Sequence, residues 1–246
     1  LAISHGTLRF KNSMRNIIGN STVKLINSNQ DLEWIDSLGM QNGELNKIGS
    51  LGYEIDYKNY LNKPRGKFAR DKEIKKLNLG LRQDLQLIVM CTSEISLDLG
   101  VPVANPKKHR DALREFLFLV ESRQDLQFII KAHPGGGDYY SLYRSMLNAN
   151  LPNLAFYEQV SLKAVLDASD VFFMINYCST AAIEAMLCRV PVVFFDNAIY
   201  KLDGWQDNLI NTDIHRVATM KELELLIDDL LQNSVSKEKT LAKADK

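Results

Sequence analysis

The hydrophobic pattern of the chain is most regular between residues 171 and 196. An apolar run begins at Val171, a short polar turn and a helix-period segment follow, and a second apolar run ends at Phe195. Apolar runs of this length, separated by a helix, are typical of buried parallel strands joined by a crossover connection. We therefore predict a strand–helix–strand unit in this stretch.

A similar alternation of apolar strands and amphipathic helices fills the second half of the chain. Strands are predicted at residues 86–93, 126–132 and 153–158, and helices at residues 109–123, 139–148, 161–168 and 221–232. Strands and helices that alternate at this spacing indicate βαβ units. The pattern predicts an α/β fold in which a Rossmann-like parallel sheet carries helices on both faces.

The beginning of the chain shows the same pattern with fewer elements. Short strands are predicted within residues 1–10, 22–27 and 46–50, and a helix is predicted within residues 29–38. These elements are too few for a complete sheet, so residues 1–53 are predicted to form part of a second α/β domain. We expect the chain to be a piece of a longer one.

A basic segment, residues 54–84, separates the two halves. It contains nine lysines and arginines and few apolar residues. We interpret it as a linker, followed by the Rossmann-like domain at 85–232 and a polar tail at 233–246. The positive charge is either solvated or forms a face that contacts phosphates or anionic lipid headgroups, and the pattern leaves both interpretations open.

Composition excludes several classes of protein. Of the 246 residues, 46% are hydrophobic and 24% are charged, and thirty basic residues balance thirty acidic ones. A net charge of zero disfavours nucleic acid as a partner, and no apolar run approaches the roughly 20 residues that span a bilayer. Cys91, Cys178 and Cys188 have no CxxC spacing and are interpreted as small buried residues of a reducing compartment.

Polar residues and glycines follow the predicted strands at the point where each strand ends. They occupy residues 91–93, 131–135, 157–159, 176–180 and 196–197. The carboxyl ends of parallel strands meet at one edge of a sheet, and ligands of such sheets bind beyond that edge. We therefore expect a ligand there, and the residue types favour one that carries phosphate.

The turn before the predicted helix of the 171–196 unit suits an anion. Ser179 and Thr180 place two hydroxyls where backbone N–H groups lack intrahelical partners. Glu184 follows about one turn later and could accept hydrogen bonds from a ribose. The alternative is an ordinary helix cap followed by a solvated glutamate.

Two histidines are candidates for chemistry. His133 ends a strand and precedes Pro134 and three glycines, so its ring could donate to a phosphate while the glycines admit a bulky ligand. His5 ends a strand of the other half and could act as a general base, since its pKa lies near neutral pH. Each could instead only finish its strand. The histidines lack metal-ligand spacing, and GxGxxG and Walker A motifs are absent.

In their order along the chain, these motifs resemble the GT-B fold glycosyltransferases. They are the His5-Gly6 pair, Lys-Ala-His-Pro at 131–134, Ser-Thr followed by Ile-Glu-Ala at 179–185, and the Pro-Val-Val strand at 191–193. The chain is most similar to bacterial enzymes of cell-surface polymer synthesis: the polysialyltransferases, the Kdo transferases of capsule assembly and the CDP-glycerol glycerophosphotransferases. The resemblance implies that the second half is the donor-binding part. Asn176 stands where the glycerophosphotransferases have aspartate, which favours a sugar donor.

The resemblance also implies roles for individual residues. His5 would deprotonate the acceptor hydroxyl, and Glu184 would bind ribose. Tyr157 and Gln159 would lie in the base-binding loop. The donor phosphates would be held by a set drawn from several strand ends: Lys131, His133, Gly135, Ser179 and Thr180.

From this resemblance we predict a glycosyltransferase that moves a sugar from a CMP-, CDP- or UDP-linked donor to a cell-surface polysaccharide or glycolipid. No DxD motif is present, so we expect no metal and no cofactor. The implied location is the cytoplasm, with peripheral contact to the inner membrane through the basic segment. Two alternatives remain: a UDP-sugar 2-epimerase of the same fold, and a nucleotide-binding domain without catalysis.

Overall fold

The strands of the protein form two separate parallel sheets. The computed structural model describes residues 2–3, 23–26, 35–36, 39, 44–47, 68–92, 105–133, 143, 151–176, 181–197 and 214–232. The smaller sheet has three parallel strands in chain order, and they are β1 (Ala2–Ile3), β2 (Val23–Ile26) and β3 (Glu44–Lys47).

The larger sheet has six strands, all parallel, in the order β6-β5-β4-β7-β8-β9. These strands are β4 (Gln86–Cys91), β5 (Leu126–Lys131), β6 (Leu154–Tyr157), β7 (Val171–Ile175), β8 (Val192–Phe195) and β9 (His215–Val217). The helices are α1 (Phe68–Asn78), α2 (Pro106–Ser122), α3 (Leu162–Ala168), α4 (Ala181–Leu187) and α5 (Met220–Gln232).

Both faces of the larger sheet are buried under helices. Successive strand residues point to opposite faces, so Phe173 joins a core with α2 and α5, whereas Phe172 joins a second core with α3 and α4. In the first core the ring of Phe116 packs edge-on against Phe128, at 5.8 Å between centroids, and stacks on Phe173 at 5.5 Å. Burial on both faces explains why these strands are continuous apolar runs.

The order of the strands places a crevice in the middle of the sheet. From β4 the chain moves outward through β5 to β6, and it then returns to place β7 on the other side of β4. The register aligns Ile88 of β4 with Val171 of β7. This is the order of a Rossmann fold, whose ligand crevice opens where the two halves diverge, at the carboxyl ends of the central strands. The predicted α/β fold class, with its partial second sheet, is confirmed.

A cluster of charged groups anchors α1 to the opposite, amino edge of the sheet. The carboxylate of Asp170 accepts hydrogen bonds from Lys72 Nζ at 2.9 Å, from Lys76 Nζ at 3.0 Å and from the backbone N–H of Leu87 at 2.9 Å. Lys76, only 6% exposed, also donates to Leu85 O. Because α1 lies within the segment interpreted as a basic linker, part of that positive charge is buried and paired rather than solvated. The domain boundaries themselves stay a prediction.

Two further contacts hold the connection between α1 and β4 against the sheet. The buried side chain of Gln127 accepts from Arg82 N and donates to Arg82 O and Leu85 O. The hydroxyl of Tyr157 donates to Leu79 O at 2.6 Å. Residues 79–85 are therefore fastened to β5 and β6.

Because of the Asp170 cluster, the free energy of unfolding is expected to depend on pH in the acid range. Burial alone would raise the pKa of Asp170, but the charges of Lys72 and Lys76 and the bond from Leu87 outweigh it and lower that pKa to about 2. The unfolded chain binds this proton more readily, so the carboxylate stabilises the fold above pH 4 and loses its contribution as the pH falls towards 2. We expect the free energy of unfolding to drop by about 2 kcal/mol from this group over that range. Urea titrations at successive pH values measure it, and a stability independent of pH between 4 and 2 would contradict it.

The structure differs from the predicted elements in three places. Helix α1 and strand β9 were not predicted, and α2 begins three residues early. The Asn105 side chain accepts from Lys107 N and Lys108 N, which starts α2 at Pro106. Among the helices that the structure describes, none is long and apolar enough to cross a bilayer.

Candidate functional site

At the carboxyl edge, a threonine at the end of β4 positions the histidine at the end of β5. Thr92 N donates to Lys131 O at 3.0 Å, and Thr92 Oγ1 accepts from His133 N at 2.9 Å. Thr92 is buried, whereas the His133 side chain is exposed. The backbone of His133 is thus held by its neighbour, while its ring lies on the surface of the edge where a ligand is expected.

The end of β7 carries an unusual backbone conformation. Asn176 has a φ of 53°, in the left-handed region that few residues other than glycine adopt. Its side chain is 0% exposed and pairs with Asn197 beyond β8: Asn176 Nδ2 donates to Asn197 Oδ1, and Asn197 N donates to Asn176 Oδ1, each at 2.9 Å. The pair ties together the two strand ends on one side of the crevice.

The side chain of Lys131 is directed into the protein rather than into solvent. Its ammonium donates to Ala132 O and, at 3.1 Å, to Glu158 O, and the residue is 4% exposed. Burial lowers its pKa, against the opposing charges of Cys91 and Glu158. One of these bonds closes on the end of β5 itself, and the other joins the end of β5 to the end of β6.

Glu184 lies in the first turn of α4, the helix that follows β7. Lys131 is the neighbour of Cys91 in the register of β4 and β5. Burial raises the pKa of the Cys91 thiol to about 12, the charge of Lys131 opposes this, and the charge of Glu184 adds to it. A thiol with this pKa stays protonated at neutral pH and is no nucleophile.

Cys188 behaves in the same way as Cys91. It is 5% exposed, and burial raises its pKa to about 12. Cys188 is buried and Cys91 is half-buried, so the interpretation as a buried structural residue fits Cys188 fully and Cys91 in part. Cys178 lies outside the described residues.

Tyr157 and Gln159 lie farther from the crevice than the other candidates. They sit at the end of β6, two strands away from β4. Tyr157 is half-buried, its hydroxyl is bonded to Leu79 O, and burial raises its pKa, whereas Gln159 is exposed. Their predicted role in binding the base stays a prediction.

Four predicted site residues fall outside the described residues: His5, Gly135, Ser179 and Thr180. Ser179 and Thr180 precede α4 directly in the sequence, and Gly135 follows His133 by two residues. Of the remaining candidates, Lys131 and His133 lie at the carboxyl end of β5, and Glu184 lies in the first turn of α4, which follows β7.

Sequence reasoning assigned no role to Thr92, Asn176 or Asn197. Thr92 and Asn176 follow an apolar strand directly, Asn197 follows one after a single residue, and this position was the available signal. What the sequence could not show is that each makes a specific hydrogen bond to a neighbouring strand end.

His109 is a buried histidine of a different kind. It lies in α2, is 1% exposed, and its Nε2 is 3.2 Å from the hydroxyl of Tyr143. Burial lowers its pKa to about 4, so the ring is neutral at physiological pH and poorly matched to general-base catalysis there. Within the described ranges, no three residues of the types that bind metals lie together.

The chain matches the model of one protein family, and its fold is similar to those of several solved structures. The profile of a family described as "Capsule polysaccharide biosynthesis protein" matches residues 46–235. A solved structure of a variant of the wall teichoic acid polymerase TagF superposes with a TM-score of 0.63 at 11% identity, over 98% of this chain and 61% of that one. A TagF variant soaked with CDPG gives 0.61 at 13% identity, over 95% and 53%.

A third solved structure, the GtfA/B complex, gives a TM-score of 0.51 at 11% identity, over 98% of this chain and 47% of that one. At these identities the likeness concerns the fold, which is of the GT-B type. The chain spans between about half and three fifths of the length of the TagF chains. The sequence matches none of the curated proteins significantly.

Proposed function

The chain belongs to the capsule polysaccharide biosynthesis family, and we propose that it is the donor-binding part of a glycosyltransferase. In this proposal the enzyme moves a sugar from a CMP-, CDP- or UDP-linked donor to a cell-surface polysaccharide or glycolipid. The likeness of its fold to TagF supports the proposal, and one TagF variant was studied with CDPG.

One observation carries the proposal: polar residues follow the two central strands at the point where the two halves of the sheet diverge. Thr92 follows β4, Asn176 follows β7, and Glu184 lies in the first turn of α4, the next helix after β7. Sheets of this order bind nucleotides at this crevice. The same edge carries the exposed His133, so a donor laid across it would meet both an acidic and a basic side chain.

Each side chain at this edge has a proposed part in holding the donor. Glu184 accepts hydrogen bonds from the ribose hydroxyls, which a carboxylate does strongly because the bonds are charge-assisted. The phosphates are held by hydroxyl, imidazole and ammonium donors and by a close backbone approach, at Ser179, Thr180, His133, Lys131 and Gly135. Tyr157 and Gln159 contact the base at the outer strand.

The proposed reaction uses His5 as general base. The imidazole takes the proton of the acceptor hydroxyl as the oxygen attacks the anomeric carbon, and the nucleotide leaves with the bonding electrons. Donors at the edge, His133 and Lys131 among them, stabilise the negative charge that develops on the departing phosphate. These side chains supply the charge in a mechanism that we propose to need no metal.

We further propose a location in the cytoplasm with peripheral contact to the inner membrane. The support is the density of basic residues in segment 54–84. Lys72 and Lys76 are paired with Asp170, so other basic residues of the segment would have to supply the contact.

A binding measurement tests the donor site. We expect at least one of CMP, CDP, UDP, GDP and TDP to raise the melting temperature of the protein, and Glu184→Gln to weaken that nucleotide by about 10-fold or more, since a hydrogen bond to a charged group contributes about 1.5–3 kcal/mol. Titration calorimetry gives the dissociation constants.

The matched control is Glu121→Gln, an exposed glutamate near the end of α2 and remote from the crevice. Its affinity should equal that of the unaltered protein. Failure of all five nucleotides to bind would reject the donor site. Binding without any sugar transfer would instead indicate a nucleotide-binding domain that lacks catalysis.

A further inference from the structure

The Asn176–Asn197 pair is the best-defined polar contact at the carboxyl edge. Asn176 is fully buried, its φ is 53°, and its amide makes two bonds of 2.9 Å to one residue. A buried amide whose oxygen and nitrogen are both hydrogen-bonded favours one arrangement of its surroundings, because a change at either partner leaves a polar group unpaired. Because this contact lies at the crevice, we ask which part of the donor site it holds in place.

Chemistry fixes the orientation of the Asn176 amide. Asn197 N is a backbone donor, so the Asn176 atom that faces it must be the acceptor Oδ1. Nδ2 must then point to the Asn197 side chain, where it meets Oδ1. The backbone N–H of Asn176 donates to Phe195 O. Three bonds therefore join the end of β7 to the end of β8.

The pair is also connected to α2. Lys108 Nζ lies 3.4 Å from Asn197 O, and α2 is the helix that follows β4. Asn197 thus contacts both the strand end on its own side of the crevice and the helix that follows the central strand. A substitution at Asn197 can therefore alter contacts with the end of β7 and with α2.

Asn176 is the last described residue before the Ser179-Thr180 turn, and Ala181 begins α4 five residues later. The direction in which a chain leaves a strand is set by the backbone angles of the residue at its end. A left-handed residue there turns the chain sharply, and asparagine tolerates this conformation better than other residues that have a side chain.

We propose that Asn176 and Asn197 are positioning residues for the donor: their reciprocal amide bonds hold the left-handed residue at the end of β7 and thereby help to place α4 and its Glu184. The inference rests on the proposed donor site and extends it to residues that do not themselves touch the nucleotide. It also assigns different tasks to the backbone and the side chain of Asn176.

Substitutions separate these two tasks. Asn176→Gly keeps access to positive φ but loses both side-chain bonds, whereas Asn176→Ala loses the bonds and also disfavours the backbone angle. Asn197→Ala removes a single acceptor and retains the bond from its backbone N–H. We expect dissociation constants for the bound nucleotide to rise in the order Asn197→Ala, Asn176→Gly, Asn176→Ala, by about 3-fold, 10-fold and 30-fold.

Asn153→Ala is the matched control. Asn153 also makes several bonds, from Nδ2 to Val120 O, Arg123 O and Leu126 O, but it lies at the amino edge. Its loss should lower the melting temperature and leave nucleotide affinity unchanged. The Asn176 variants should weaken affinity even at temperatures where their folded fraction equals that of the control.

Calorimetric titration of the whole chain with the nucleotide that it binds decides the matter. An unaltered affinity in Asn176→Gly, or an equal loss in Asn153→Ala, would overturn the positioning role and leave the donor site intact. Failure of the unaltered protein to bind any nucleotide would reject both. If Asn176→Gly does not fold, Asn197→Ala carries the same test, because it removes the partner while leaving the left-handed residue in place.

Discussion

Replacing Asp170 with asparagine is expected to lower the free energy of unfolding by about 3 kcal/mol, the lower end of the range for breaking a buried ion pair. The change keeps the shape of the side chain and an acceptor for Leu87 N, but it removes the charge that faces Lys72 and Lys76. Lys76 is then left as a buried cation without a counter-charge, although Leu85 O and the amide oxygen of the new side chain can still accept from it. Lys72 is more exposed and can turn to water, which limits the loss.

Urea denaturation at pH 7 measures this effect. Asp84→Asn is the matched control, because Asp84 also pairs with a basic residue, Arg82, in the same part of the chain, but both side chains are about two thirds exposed. The control should leave the urea midpoint unchanged, since exposed pairs contribute little. A midpoint for Asp170→Asn that matches the control would show that the cluster does not anchor α1.

His5→Ala is expected to lower the turnover number for sugar transfer by about 10²–10⁴-fold, the usual contribution of a general base. Nucleotide affinity should stay unchanged, because the base acts on the acceptor hydroxyl and not on the donor. Steady-state rates measure the turnover number, and titration calorimetry measures the nucleotide affinity.

His215→Gln is the control for this experiment. His215 begins the edge strand β9, and we expect its replacement to leave transfer unchanged. Unaltered turnover in His5→Ala would remove His5 from the mechanism while leaving the donor site in place. A parallel loss of nucleotide affinity would instead mean that His5 binds the donor.

Much of the main sheet could be predicted because its strands record burial directly. Val171–Ile175 and Val192–Phe195 are apolar at every position, since each strand is covered on both faces. The resemblance to GT-B glycosyltransferases is likewise confirmed, by the family match and by the fold. The resemblance rested on the order of short motifs along the chain, and this order can be read directly from the sequence.

Helix α1 could not be predicted by the same reasoning, because a charge rather than an apolar stripe anchors it. Between residues 71 and 78 of this helix, Lys76 is the buried residue, and its partner Asp170 lies 94 residues away. A lysine-rich stretch looks the same whether its lysines face water or a distant carboxylate. Strand β9 was missed because three residues carry too short a pattern.

The positions of candidate residues along the chain could be predicted better than their contacts. His133 follows β5 and Glu184 lies in the first turn of α4, while their roles in a site stay predictions. The hydrogen bonds from His133 N to Thr92 and between Asn176 and Asn197 join strands that are 21 to 41 residues apart. Pairings of this kind depend on strand order, which the sequence does not display.

The position of β4 at the centre of the sheet also shapes how the protein must fold as it is made. One side of β4 pairs with β5 soon after synthesis, but the other waits for β7, and the bond between Leu87 and Asp170 spans 83 residues. At about 5–20 residues per second, a ribosome needs several seconds to supply the missing half. During that interval the edge of β4 that will pair with β7 is exposed. The nascent chain is therefore expected to depend on chaperones more than the finished domain does.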